Sequence, residues 1–201
     1  EVVNALAPDV IVVTGDLVDG TVEQIAAQVA PIARLAARHG VFFVTGNHEY
    51  YAGAPAWIEH IRALGIRVLV NERVSIGDEG ASFDLAGVPD FRSGHYGVGH
   101  EHDVGACVAG RDPTRELVLL AHQPRSVDEA AKAGVGLQLS GHTHGGQIFP
   151  MGLLIYDQPF IKGLHRRGDT WIYVSSGAGY WGPPMRVGAP PEIAEITLVR
   201  A

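Results

Sequence analysis

A single cysteine, Cys107, is the only thiol in this 201-residue chain. No internal disulfide can staple it, and cysteine usage leaves the redox compartment open. No apolar run approaches the ~20 residues that a membrane-spanning helix needs, and the first residues lack the pattern of a secretory signal peptide. A surplus of positive charge is missing too: 15 Lys and Arg stand against 22 Asp and Glu, for a net charge of −7. That argues against dedicated nucleic-acid binding, which normally needs a basic patch, and solubility accounts for it. There are no internal repeats and no low-complexity linkers. What is left is an ordinary globular composition, 46% apolar and 18% charged, long enough for one domain over residues 1–201 to bury a core unaided.

Hydrophobic periodicity orders the chain. Glu1 to Leu6 reads as the tail of an amphipathic helix with neither cap nor initiating Met, so a longer parent chain is expected. Val10 to Val13 follows as a strand. Val22, Ile25, Val29, Ile32 and Leu35 then recur at helical spacing, with Pro31 predicting a kink or break and Gly40 a stop. The strand Val41 to Val44 completes a β-α-β unit, expected to be parallel and right-handed. A second helix runs from Pro55 to Leu64. Short strands are predicted at Arg67–Val70, Val74–Ile76, Phe83–Val88, Leu117–Leu120, Trp171–Val174 and Ile193–Val199. A helix after Leu120 is expected to start on a capping box at Ser126 and to end at Gly134. Helices alternate with strands early and strands dominate late, which predicts two sheets packed face to face with helices outside.

Four of these strands end in metal-capable side chains. The Val10 strand leads to Thr14-Gly15-Asp16, the Val41 strand to Gly46-Asn47-His48-Glu49, the Leu117 strand to Ala121-His122, and Leu137–Leu139 to Ser140-Gly141-His142-Thr143-His144. Carboxyl ends of parallel strands open onto one crevice, so residues scattered in sequence converge in space. A carboxylate, an amide oxygen and imidazole nitrogens together make a mixed donor set suited to divalent transition metals.

In order and context these motifs resemble the calcineurin-like metallophosphoesterases, over nearly the whole chain. Gly145-Gly146-Gln147, Tyr173-Val174-Ser175-Ser176-Gly177 and Pro190-Pro191-Glu192-Ile193 are similar to a small bacterial branch whose members are often attached to membrane or cell wall. The resemblance implies an α/β fold, a four-layer α/β-β/α sandwich of two mixed sheets flanked by helices. It implies hydrolysis of a phosphoric ester, more a diester than a monoester, with two divalent metal ions (Mn²⁺, Fe²⁺ or Zn²⁺) and a bridging hydroxide as nucleophile. One ion would be held by Asp16, Asn47, His122 and His142. The second would take Asp16 and His144 plus an Asp and a His from an Asp-x-His motif on a strand before Glu1. No Asp-x-His occurs in this chain, so that site is half built, and a non-catalytic metal-binding or interaction module stands as the competing reading. His48 would act on the substrate and bind no metal, with Glu49 orienting it. Substrates implied are small-molecule, lipid or cell-wall phosphoesters. Membrane or envelope contact would come through a segment before Glu1, the chain itself reading as soluble.

The remaining polar residues carry plainer expectations. Asp19 is expected to cap the following helix. His95, His100, His102 and Asp103 read as a flexible polar loop, against the sharper readings of a metal clip or a substrate lid. Tyr50-Tyr51 and Tyr180-Trp181 either wall the crevice or simply pack. His39, His60 and His165 read as helix-end or surface histidines, and Gly145-Gly146 as tight turns.

Overall fold

The computed structural model describes residues 1–78, 80–148, 150 and 157–199. A three-stranded parallel sheet runs in the order β1 (Ile11–Val13), β2 (Val41–Phe43), β3 (Arg67–Val68). A six-stranded sheet comprises β4 (Glu72–Asp78), β5 (Ala81–Gly87), β6 (Leu117–Leu120), β7 (Leu137–Ser140), β8 (Gly163–Arg167) and β9 (Thr170–Val174). Its spatial order is β4-β5-β6-β7-β9-β8. The inner strands are parallel, and β4 and β8 close the edges antiparallel.

Alternation along the strands sorts side chains into layers. On β2, Val41 and Phe43 face Trp57, Ile58 and Ile61 of the helix α4 (Ala54–Ala63). Phe42 and the following Val44 turn the other way and pack with Leu85, Val118 and Leu120 of the second sheet. On β6, Leu117 and Leu119 face outward instead, onto Val104 and Cys107 of α5 (Val104–Val108) and Ala130 of α6 (Val127–Lys132). Helix, sheet, sheet, helix is the arrangement the sequence predicts. Among the described residues, no helix is long and apolar enough to cross a membrane.

Several elements differ in detail. The helix after Asp16 breaks as Pro31 requires: α2 (Val22–Val29) gives way to a 3₁₀ turn over Ala30–Arg34. Thr21 caps α2 with Gln24 closing the capping box, so the cap expected of Asp19 is supplied by its neighbour. Ser126 makes no side-chain cap and sits in a 3₁₀ turn, Pro124–Ser126, that runs directly into α6. The strand expected at Ile193–Val199 does not form. Ile193, Ile196, Leu198 and Val199 are exposed, and no described strand pairs with the segment; alternation alone does not make a strand without a neighbour to take its backbone hydrogen bonds. The His-rich stretch is no loose loop. Asn71 holds it through the Glu101 carbonyl (2.6 Å) and the Asp103 N–H (3.1 Å), Asp103 caps α5 by accepting from Ala106 N–H, and His102 Nδ1 lies 2.9 Å from the Pro89 carbonyl.

The two sheets approach most closely where β5 ends. A Cβ added at Gly87 would lie 2.5 Å from Leu69 Cβ and 2.7 Å from Val44 Cγ1, both fully buried. Gly87→Ala is therefore an overpacking substitution and should lower stability by about 1–3 kcal/mol, read as a reduced urea midpoint at unchanged m-value. A change within ~0.5 kcal/mol, the usual surface range, would mean that the sheets separate freely.

Candidate metal centre

The site is built on turns that leave the strands. Asp16 sits three residues past β1 and Asn47 opens a short helix, α3 (Asn47–Tyr51), after β2. His122 follows β6, and His142 and His144 follow β7. Asp16, His142 and His144 all take left-handed backbone conformations, with φ of 56°, 70° and 50°. Non-glycine residues rarely pay that strain away from functional sites.

Asp16, His122 and His142 offer ligand atoms that all lie within 4.8 Å of one another. His122 Nε2 is 3.0 Å from Asp16 Oδ2 and 3.1 Å from His142 Nδ1. His122 Nδ1 lies 2.6 Å from the Thr14 carbonyl. Donation there fixes the tautomer and turns Nε2 toward the cluster, the usual arrangement of a histidine that serves a metal. Two buried acceptors nearby have no hydrogen-bond partner, Asn47 Oδ1 and His144 Nδ1. Buried polar atoms are normally satisfied, so a carboxylate and two imidazoles beside orphaned amide and imidazole acceptors fit a transition-metal ion well. His144 stands outside the tight cluster, although the charge of Asp16 acts on it.

The electrostatics agree with that fit. Burial alone would raise the Asp16 carboxyl, but the charge and hydrogen bond of His122 outweigh it and hold it well below the usual carboxylate range. Burial likewise disfavours a charged His122, and Asp16 overcomes it, raising the imidazole to about 9. The two shifts favour an ionised Asp16 beside a protonated His122. Burial, with His122 adding, pushes His142 down to about 3. Burial pushes His144 down to about 4 against the opposing charge of Asp16. Both rings are neutral at physiological pH and keep a lone pair for a metal.

Two neighbours have roles that sequence reasoning misplaced. Glu49 does not touch His48. It is fully buried, and its Oε2 accepts from Asp16 N–H (3.0 Å) and Gly46 N–H (2.6 Å), its Oε1 from Leu17 N–H (2.7 Å). Asp19 is the residue that orients His48, with Oδ1 3.2 Å from Nδ1. Its signal was legible: Asp19 follows Asp16 by three residues, and Thr21 with Gln24 already supplies the helix cap, leaving that carboxylate free.

Truncating Glu49 would strand one buried N–H, that of Gly46, and two part-buried ones, of Asp16 and Leu17, a buried unsatisfied group costing about 1–3 kcal/mol. Glu49→Ala should destabilise the fold by several kcal/mol (~3 or more) and weaken metal uptake, both measurable by thermal melts and elemental analysis. Full metal content at wild-type stability would remove Glu49 from the centre.

Comparison with known proteins identifies the family. The family model for calcineurin-like phosphoesterases matches residues 1–146. A bovine (Bos taurus) transmembrane protein with metallophosphoesterase domain is 41% identical over 99% of this chain and 48% of its own length. An uncharacterized metallophosphoesterase of Helicobacter pylori is 40% identical over 99% of this chain and 53% of its own. The chain thus spans about half the length of these curated relatives. In fold it is similar to the phosphopantetheinyl hydrolase of Mycobacterium tuberculosis, with a TM-score of 0.56 at 12% identity, covering 84% of this chain and 78% of that one. Through the family match and these relatives, the chain belongs to the calcineurin-like phosphoesterase family.

Proposed function

We propose that this chain hydrolyses phosphoric esters, diesters above all, at a divalent-metal site held by Asp16, Asn47, His122 and His142. The observation that carries the reading is the convergence of Asp16, His122 and His142 within 4.8 Å beside the unpartnered Asn47 Oδ1. Mixed oxygen and nitrogen donors favour Mn²⁺, Fe²⁺ or Zn²⁺ over Ca²⁺ or Mg²⁺. Asp16 and the unpartnered Nδ1 of His144 would begin a second ion site. Bound metal would neutralise phosphoryl charge and make water nucleophilic at neutral pH.

The protein groups do the rest. Asn47 contributes a neutral oxygen, so the site gains a donor without adding negative charge against an anionic substrate. His48 has Nδ1 committed to Asp19, which leaves Nε2 to face the substrate. As the oxygen of the attacking hydroxide bonds to phosphorus and the P–O ester bond breaks, the proton on Nε2 passes to the departing oxygen, and a solvent water then returns a proton to the ring. Asp19 positions the ring through its contact with Nδ1. His48 is therefore catalytic in this reading and Asp19 a positioning residue.

Hydrolysis of bis(p-nitrophenyl) phosphate should vanish on chelation and return with Mn²⁺, Fe²⁺ or Zn²⁺. Turnover of acyl esters with none of phosphate esters would overturn the assignment.

His48→Ala should lower kcat by about 10²–10⁴-fold, the usual worth of a general acid, at unchanged metal content. Asp19→Asn should lower kcat by less, with KM and metal content unchanged. Loss of metal from the His48 variant would make His48 a ligand instead.

A further inference from the structure

Helix α3 carries more than a ligand and a proton donor. Tyr51 lies three residues past His48, which makes the two side chains neighbours on the helix surface. The His48 and Tyr51 rings stand 5.3 Å apart, tilted by 56°. Tyr96 comes from a separate 3₁₀ turn, Ser93–Tyr96, and its ring meets Tyr51 at 6.1 Å and Tyr50 at 5.2 Å. Tyr50 is buried, whereas Tyr51 is 65% and Tyr96 39% exposed. One buried ring thus backs two exposed ones, of which Tyr51 adjoins His48 and Tyr96 adjoins Tyr51. A pair packed only for stability would turn its faces into the core, because burying aromatic area is where the free energy lies. This pair stays exposed, with Tyr51 against His48.

We propose that Tyr51 and Tyr96 form the seat for the leaving group, and that the preferred substrate is a phosphoester whose leaving alcohol carries a planar ring, aryl or nucleoside. The inference rests on the phosphoesterase reading and on His48 as proton donor. Nδ1 of His48 is held by Asp19, so the ester oxygen must come within hydrogen-bond reach of Nε2. Whatever that oxygen carries then lies about one ring's width from Tyr51. A flexible aliphatic alcohol finds little to grip there. A planar ring gains offset or edge-to-face contact with both tyrosines and leaves as a neutral hydroxyl once His48 has given up its proton and the P–O bond has broken.

The test measures binding without turnover. Benzylphosphonate places a ring where the leaving group would be, with CH₂ in place of the ester oxygen, and methylphosphonate lacks the ring. Calorimetry on the metal-loaded protein should show benzylphosphonate binding about tenfold tighter. Tyr51→Ala and Tyr96→Ala should abolish that advantage and leave methylphosphonate unchanged, which also shows the variants folded; Tyr51→Phe should retain it. Equal affinity for the two phosphonates in the wild type, or a ring advantage that survives both alanines, overturns the inference while the phosphoesterase reading stands. Failure of both phosphonates to bind the metal-loaded wild type also overturns the inference, whereas failure of that protein to hydrolyse bis(p-nitrophenyl) phosphate ends the phosphoesterase reading and this one with it.

Discussion

A carboxyl group sealed from water joins the two halves of the first sheet's active edge. Glu49 accepts N–H groups from Asp16 and Leu17 on the turn after β1 and from Gly46 on the turn after β2. The strands are already in register, Val13 opposite Phe43, and Glu49 carries that register outward into backbone that would otherwise be free. Asp16 answers through its side chain, with Oδ1 accepting from His48 N–H at 3.0 Å. Held at backbone and side chain alike, Asp16 keeps a φ of 56° that an aspartate in a free turn would seldom hold. Closeness has a steric condition as well. A Cβ on Gly46 would run into the Asp16 carboxylate and lie 2.8 Å from His122 Cε1, so only glycine lets the two turns and the histidine meet.

The second sheet reaches the same point by another route. His122 spans from the end of β6 to the Thr14 carbonyl at the end of β1, a hydrogen bond between residues 108 apart in sequence. It works only if the sheets keep their separation, and Gly87 against Leu69 and Val44 sets how near they come. Core packing and ligand geometry are thus one constraint seen at two places. The electrostatic consequence follows: Asp16 and His122 pair, and burial leaves His142 and His144 neutral. A cation entering here displaces one proton and finds its other nitrogen donors already free.

Legibility in the sequence followed the range of the physics. Strands that are buried on both faces, such as Leu117–Leu120, were readable, and so was the gathering of Asp16, His122 and His142 just beyond such strands, because apolar runs and their endings are local signals. So was the break at Pro31. Glu49 was not, since its partners Asp16 and Leu17 lie more than thirty residues away and nothing nearby marks a carboxyl as a joint between turns. His102 was missed for the same reason: a polar run with glycines on either side looks solvated until Asn71, Pro89 and α5 are placed around it. Ile193–Val199 failed in the opposite sense. Its pattern is that of a strand, yet a strand is a relation between two segments, and one segment's pattern cannot supply the other.

The five residues of α3 show how little chain such a centre needs. Helical geometry sends Asn47, His48, Glu49, Tyr50 and Tyr51 in different directions from one short axis. Asn47 turns its amide oxygen inward, with no protein partner for it. Glu49 points back into the sheet and fastens the turns, and Tyr50 packs beneath with its hydroxyl 3.4 Å from Thr45 Oγ1. His48 and Tyr51 are left on the rim, one held by Asp19 and the other by Tyr96. Because Glu49 anchors the first turn of this helix, the same contacts that place Asn47 also place His48 and the Tyr51 ring beside it. Their spacing is set by the pitch of one helix, so it does not depend on how the surrounding loops happen to close.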